Sequence, residues 1–328
     1  MSLKLQSLVP NESPALLAAL HEKGVRTGSD LLAQTPKGLF KLLPAGLATI
    51  FELECLQTTV ALKLAPTPVT GNELLTVSEP APRGTGLDAL LGTLVAGDVF
   101  EIAGPPGTGK TALAMTIVAR ELCALPDAHA LWIDSRLAFN PERMLRIIQS
   151  NCSQPEVVAS VTERVQIVHA RDLAATYDAL GSLGPSEAMA TPRVVVIDGI
   201  TELLLPGLNA KHAHGNALMT TFVRYLATLA RTNRFTALVI NSSVPSDVPL
   251  SVFPGANTVS QLGVTFAYLT AGTLWLNDAR AAFAQNIPVS ENTRLLAVEL
   301  LRSNHASPGR WELVKLSSGV GFTAFDEF

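Results

Sequence analysis

Residues 104–111 read GPPGTGKT. A strand-like apolar run, DVFEIAG, leads into them, and a helix-like run from Lys110 to Leu125 leaves them. A glycine-rich turn between strand and helix that ends in Lys-Thr is the phosphate-binding loop pattern, and the flanking elements make the match meaningful. Glycines let such a loop wrap a phosphate with several N–H groups turned inward, and the helix start adds the positive end of its dipole. In this pattern Lys110 reaches the β- and γ-phosphates, and Thr111 holds Mg²⁺ through its hydroxyl.

The surrounding pattern agrees. HALWID, RVQIVHA, RVVVIDG and TALVINS read as strands. PERMLRIIQS and DLAATYDAL read as helices between them, and NALMTTFVRYLATLARTN as an amphipathic helix with Leu218, Phe222, Tyr225, Leu226 and Leu229 on one side. This alternation predicts an α/β fold with a mostly parallel sheet and helices on both faces. The tail changes character: VTFAYLTAGTLWL, TRLLAVELL and RWELVKLSS read as strands joined by turns, an antiparallel C-terminal extension. Ahead of the core, residues 1–60 read as a small helical domain. Ser13-Pro14 opens a helix that Gly24 closes, Ser29-Asp30 opens a second, Leu39, Phe40, Leu42 and Leu43 supply an apolar face, and a short helix lies around LATIFELECL. Residues 61–85, proline-bearing and without periodicity, read as a linker to the core at 86–328.

Composition narrows the function classes. Hydrophobic residues make up 48% and charged residues 16%, which implies a sizeable core and argues against long disorder. The mean hydropathy of +0.30 invites a search for membrane spans. The longest apolar candidate, PRVVVIDGITELLLPG, is broken by Asp198, Glu202 and prolines, and falls short of the roughly 18–20 residues a spanning helix needs. No membrane partner is expected. The start, MSLKLQSLVPNESP, has neither an apolar signal core nor transit character. Cys55, Cys123 and Cys152 are odd in number, far apart and in no metal spacing, so neither disulfides nor zinc are expected. A net charge of -4 argues against a chain that is basic overall, though not against a local basic groove.

Asp198 closes RVVVID, where folds with this loop place the acid that serves Mg²⁺. The next residue is Gly199, at a position where motor-type ATPases commonly carry a second acid. A nucleoside kinase would need an arginine-rich lid after residue 198, and no arginine cluster of that kind is found.

In order along the chain, GPPGTGKT, WIDSRLAFNPERM, VVVIDG and LVINSS, preceded by RGTGLDALLGTLVAGDVFEI, resemble the RecA-like recombinase family. RVQIVHARDLAATYDAL and the small helical domain with its linker are most similar to the eukaryotic strand-exchange recombinase paralogues of the D-type. The resemblance covers residues 83–325 well and 5–55 loosely. It implies a RecA-like P-loop ATPase core that binds ATP with Gly104, Pro105, Pro106, Gly107, Thr108, Gly109, Lys110 and Thr111, and Mg²⁺ with Thr111 and Asp198. It places Arg143 near the adenine, and Asn241 as a polar switch residue that senses the γ-phosphate. Ser242 follows, where the family usually has Gln or His.

The same resemblance brings out three departures. In the strand-exchanging members a glutamate that orients the attacking water occupies the position of Arg136, and an arginine stays protonated and cannot act as the base. Glu142 lies too far along the motif to replace it, so no catalytic residue is identified. Of the two DNA loops, LPGLNAKHAHGN offers Lys211, His212 and His214, either for weak phosphate contact or as an ordinary solvated loop, while VPSDVPLSVFPGAN has no lysine or arginine to release counterions. The linker lacks the Phe-x-x-Ala element of self-polymerising members, so no self-filament is expected. The resemblance therefore implies an ATP-binding paralogue of homologous recombination repair in the nucleus, with weak or partner-dependent ATPase activity. It would be a subunit of a heteromeric complex with other recombinase paralogues that assists the main recombinase on single-stranded DNA. A nucleotide-independent scaffold and an active helicase-type DNA-dependent ATPase are the competing readings.

Overall fold

Threonines followed three residues later by an acid start two of the N-terminal helices. The computed structural model describes residues 4–65, 90, 94–152, 154–183, 192–208, 213–247, 251–253, 258–279, 293–318 and 320–325. The chain divides into two units, Met1–Val77 and Ser78–Phe328. In the first, α1 (Leu5–Leu8), α2 (Pro14–Glu22), α3 (Gly28–Leu32), α4 (Pro36–Leu42) and α5 (Ile50–Leu64) surround Leu20, Leu31, Leu39, Leu53 and Val60, none of which is exposed. The expected start of α3 at Ser29-Asp30 is corrected. Thr27 is the cap, and Asp30 is the third helical residue, whose carboxylate accepts from the Thr27 amide at 2.9 Å. Thr49 and Glu52 form the same reciprocal box at α5, which runs to Leu64, past the expected boundary at residue 60. The rest of the expected linker lies outside the described residues.

The second unit holds a nine-stranded sheet of order β11-β10-β9-β8-β1-β5-β4-β2-β3. Its strands are β1 (Val99–Ala103), β2 (Ala130–Asp134), β3 (Val165–His169), β4 (Val194–Asp198), β5 (Thr236–Ile240), β8 (Gly272–Asp278), β9 (Thr293–Ser303), β10 (Arg310–Ser317) and β11 (Gly321–Ala324), and β6 (Ser243–Pro245) pairs with β7 (Thr258–Ser260) apart from it. The run from β8 through β1 to β3 is parallel. The run from β8 through β9 and β10 to β11 is antiparallel.

Alternation along β1, β2, β4 and β5 explains why these central strands are buried throughout. Phe100, Ile102, Trp132 and Val196 join one core with Leu113, Ile117 and Met144, while Val99, Ile133, Val195 and Val239 join another with Phe222 and Leu226. The helices after β1 and β2 that serve the first core are α6 (Lys110–Ala124), α7 (Pro141–Asn151) and α8 (Pro155–Glu163). The second core lies under α9 (Leu173–Gly181), α10 (Ile200–Leu204), α11 (Ala213–Asn233) and α12 (Gly263–Leu269). Residues 112–119 of α6 are all buried, and its alanines let the helix sit close against the sheet.

Two expectations are overturned here. VTFAYL is not a strand but the body of α12, which buries Phe266 on one face; the strand begins only at Gly272. A short apolar run carries no periodicity long enough to separate the two states. Cys123 and Cys152 form a disulfide, contrary to the expectation from spacing. Cys123 is in the last turn of α6 and Cys152 caps α7, and packing of these helices brings their Cα atoms to 6.4 Å across a sequence separation of 29. Among the described residues, no helix is long and apolar enough to cross a membrane.

Candidate nucleotide site

The loop after β1 is built by backbone that only glycine accepts readily. Gly104 has φ +147°, and a Cβ there would run into the Leu276 carbonyl. Gly109, at φ +84°, would place a Cβ 2.7 Å from Leu316 Cδ2. Lys110, the first residue of α6, folds back so that its Nζ donates to the carbonyls of Gly104 at 2.7 Å and Pro105 at 2.9 Å. Buried Thr108 donates to the Pro105 carbonyl at 2.8 Å. Pro106 and Gly107 are exposed at the tip. Arg294, at the start of β9, straps the loop from the antiparallel extension: it donates to the Gly107 carbonyl at 2.6 Å and pairs with Asp278 at 3.0 Å. Burial pulls the Lys110 ammonium down to about 8; Arg136 acts in the same direction, and Asp198 and Glu202 oppose it.

Asp134 and Asp198 are register partners on β2 and β4, so the segment after Asp134 passes directly over the end of β4. The fully buried Asp134 carboxylate accepts from the amides of Arg136 at 3.1 Å and Phe139 at 2.8 Å, which fixes the turn. Ser135 latches the turn to β4, donating its hydroxyl to the carbonyls of Asp198 and Gly199 at 3.0 and 2.8 Å. Gly199 has φ +100°, and a Cβ there would run into Ser135 Oγ and lie 3.0 Å from Arg136 Cγ, so the glycine that stands where an acid was sought makes room first for the serine latch and then for the arginine stem. Arg136 Nη2 then meets Asp198 Oδ1 at 2.7 Å, while Thr111 Oγ1 donates to Oδ2 at 3.0 Å. Asp198 itself is 1% exposed. Burial raises its carboxyl above the ordinary carboxylate value, and Arg136 followed by Thr111 pulls it back.

A cleft of about 610 Å³ opens over the loop. Lys110, Thr111, Arg136, Arg143, Arg146 and Arg294 line it beside Ser242, Ser243, Ser317 and Ser318, and no acid is among its described lining residues. Of the residues singled out in the sequence, Pro106, Gly107, Gly109, Lys110, Thr111 and Arg143 come together in this cleft. Asn241 does not line the cleft. It is fully buried and hydrogen-bonded to Glu101, Ser260 and Thr201, which leaves Ser242 and Ser243 at the surface of the site. Glu142 is 85% exposed, lies 3.8 Å from Arg146 and is not among the lining residues. Lys211 and His212 lie outside the described residues. Sequence reading missed Arg146 and Arg294. The α7 periodicity puts Arg146 on the same side as Arg143, but nothing local marks Arg294, which reaches the loop across 187 residues.

A loop of positive-φ glycines, a lysine and a helix start fit a nucleotide phosphate. The fit to Mg²⁺ is different. Thr111 and Asp198 are hard oxygen donors of the kind Mg²⁺ takes. Both Asp198 oxygens are nonetheless engaged and its charge is already matched by a guanidinium, so the arrangement does not fit the metal as it stands. Among the described residues, no group of three or more His, Cys, Asp or Glu could hold another metal ion.

A solved structure, the RadB recombinase, matches with a TM-score of 0.55 at 21% identity, covering 74% of this chain and 97% of that one. The fold is therefore the RecA-like one, a parallel sheet with the glycine-rich loop after β1 and an antiparallel extension. No protein-family model matches the chain. It is 30% identical over 246 residues to DNA repair protein RAD51 homolog 4 of Bos taurus, covering 71% of this chain and 74% of that protein. The Mus musculus protein of the same name is 28% identical over 253 residues, covering 74% and 76%. DNA repair protein RAD55 of Saccharomyces cerevisiae is 27% identical over 161 residues, covering 46% and 38%. The chain belongs to the RAD51 paralogues of the RecA-like recombinase family.

Proposed function

We propose that this chain is an ATP-binding recombinase paralogue of homologous recombination DNA repair. In this reading it works in the nucleus, as a subunit of a heteromeric complex of paralogues that assists the main recombinase on single-stranded DNA. Residues 104–111 hold the triphosphate, and Arg143 lies beside the base. ATP acts as a ligand that favours one assembly state, since whatever binds one state preferentially stabilises it. The observation that carries the reading is the pairing of an intact loop with Arg136 in the place of a base: the site has cations to bind phosphate and, among its described lining residues, no acid to activate water.

The test is ATP turnover by the purified chain, with and without saturating single-stranded DNA, beside an ATP-binding titration. Binding with negligible turnover in both conditions is expected. Robust DNA-stimulated turnover would overturn the reading and favour the active ATPase.

One observation favours a second reading, a scaffold independent of nucleotide. Lys110 is already satisfied by the Gly104 and Pro105 carbonyls, and Asp198 by Arg136 and Thr111, with no nucleotide needed. Complex assembly unaffected by Lys110→Ala, with no ATP binding in the titration, would select it.

A further inference from the structure

Arg136 is placed at Asp198 by several independent contacts rather than by chance on an exposed turn. The Asp134 carboxylate holds its amide, Ser135 ties the preceding residue to β4, and Gly199 leaves space for its stem. Its side chain is 35% exposed and lines the cleft, so it lies at once against the buried acid and toward the space where phosphates would enter. A guanidinium remains charged at any pH the protein meets and carries five donors in a planar fork, enough to bridge a carboxylate and a phosphate. The cleft around it is cationic through Lys110, Arg143, Arg146 and Arg294. Such a lining suits a metal-free triphosphate, which carries more negative charge than its magnesium complex. A divalent cation beside Thr111 would instead meet an acid that is already neutralised and a like charge next to it.

We infer that Arg136 supplies at Asp198 the positive charge a divalent cation would bring, so that this cleft binds the nucleoside triphosphate without requiring Mg²⁺. The inference rests on the nucleotide reading above and specifies the form of the ligand. Arg136 is a ligand-binding residue in this account, and the Asp198 carboxylate is the group that positions it.

Isothermal titration of the full chain with ATP, once in excess Mg²⁺ and once in excess EDTA, tests it. The two dissociation constants are expected to agree within about threefold, against the tenfold or greater gap, roughly 1.4 kcal/mol or more, of a site that needs the metal. For Arg136→Gln, loss of a charge-assisted bond weakens binding in EDTA by about tenfold or more. The loss in Mg²⁺ is smaller, because Asp198 is released to serve the metal. Arg136→Lys keeps the cation and should keep the two media close, which decides the matter if the glutamine variant fails to fold. Wild-type binding that collapses in EDTA, or an Arg136→Gln variant with the wild-type ratio between media, overturns the inference while leaving nucleotide binding intact. Absence of binding in both media would sink the nucleotide reading and this inference with it.

Discussion

Replacing Asn241 by leucine separates a buried structural pin from a phosphate sensor. The residue follows β5, and its amide donates to Ile102 O at 3.0 Å. Its side-chain Nδ2 donates to Glu101 Oε1 at 2.7 Å and to Ser260 Oγ at 2.6 Å, and its Oδ1 accepts from Thr201 Oγ1 at 2.6 Å. The side chain thus ties β1, β7 and α10 together at the end of the central strands. Leucine has the same heavy-atom branching and somewhat greater bulk, so the substitution opens no cavity, and the cost comes chiefly from polar groups. Each lost hydrogen bond is worth about 1 kcal/mol, and buried partners left unsatisfied add roughly 1–3 kcal/mol each; since Glu101 and Ser260 keep each other and Thr201 keeps the Ser242 amide, we expect about 3–5 kcal/mol in all. That is a large part of the roughly 5–15 kcal/mol that holds a folded domain together. Urea unfolding followed by tryptophan fluorescence reads the core directly, because Trp132 and Trp275 are both buried in it. With a slope near 3 kcal/mol/M, the midpoint should fall by about 1–1.7 M. ATP affinity of the folded variant should stay within about threefold of wild type, or 0.65 kcal/mol. A midpoint shift under about 0.3 M, with ATP affinity or DNA response lost, would instead return Asn241 to the sensing role.

Two further perturbations test the frame around the site. Burial raises the Glu101 carboxyl above its ordinary 4.5, so the stability it lends is complete below pH 4.5 and is lost as pH rises through the higher folded value. Glu101→Gln should therefore flatten the fall of the urea midpoint above pH 4.5, and parallel curves for the two proteins would contradict the assignment. Gly109→Ala should cost about 1–2 kcal/mol for its φ of +84° plus the displacement of Leu316, and should weaken ATP binding, whereas Gly24→Ala, at the same φ but in open space, should cost about 1 kcal/mol and leave binding alone. Equal effects at the two glycines would show that the Leu316 contact is not felt.

Much of this molecule is legible from local chemistry. GPPGTGKT, the apolar strand runs and the amphipathic α11 each declare themselves within a few residues, because glycine conformation, strand burial and helix periodicity are short-range properties. The order of those segments was enough to point to the family, which the relatives then bore out. Where local signals were weak, the reading failed: VTFAYL is too short for its period to show, and Thr27 displaced Ser29 as a cap because the Asp30 carboxylate turns back to the Thr27 amide.

The content of the site, by contrast, was decided by tertiary structure. Sequence showed that Arg136 stands where an acid was sought, but only the β2–β4 register, which sets Asp134 beside Asp198, puts its guanidinium on a carboxylate 62 residues away. The same holds for Arg294 across the loop and for the Cys123–Cys152 pair. It holds also for Asn241, which is withdrawn from the cleft by partners on separate elements. A chain fixes which groups it carries and how each segment folds, whereas hydrogen bonds and ion pairs depend on distances of about 3 Å that exist only once the strands have paired and the helices have packed.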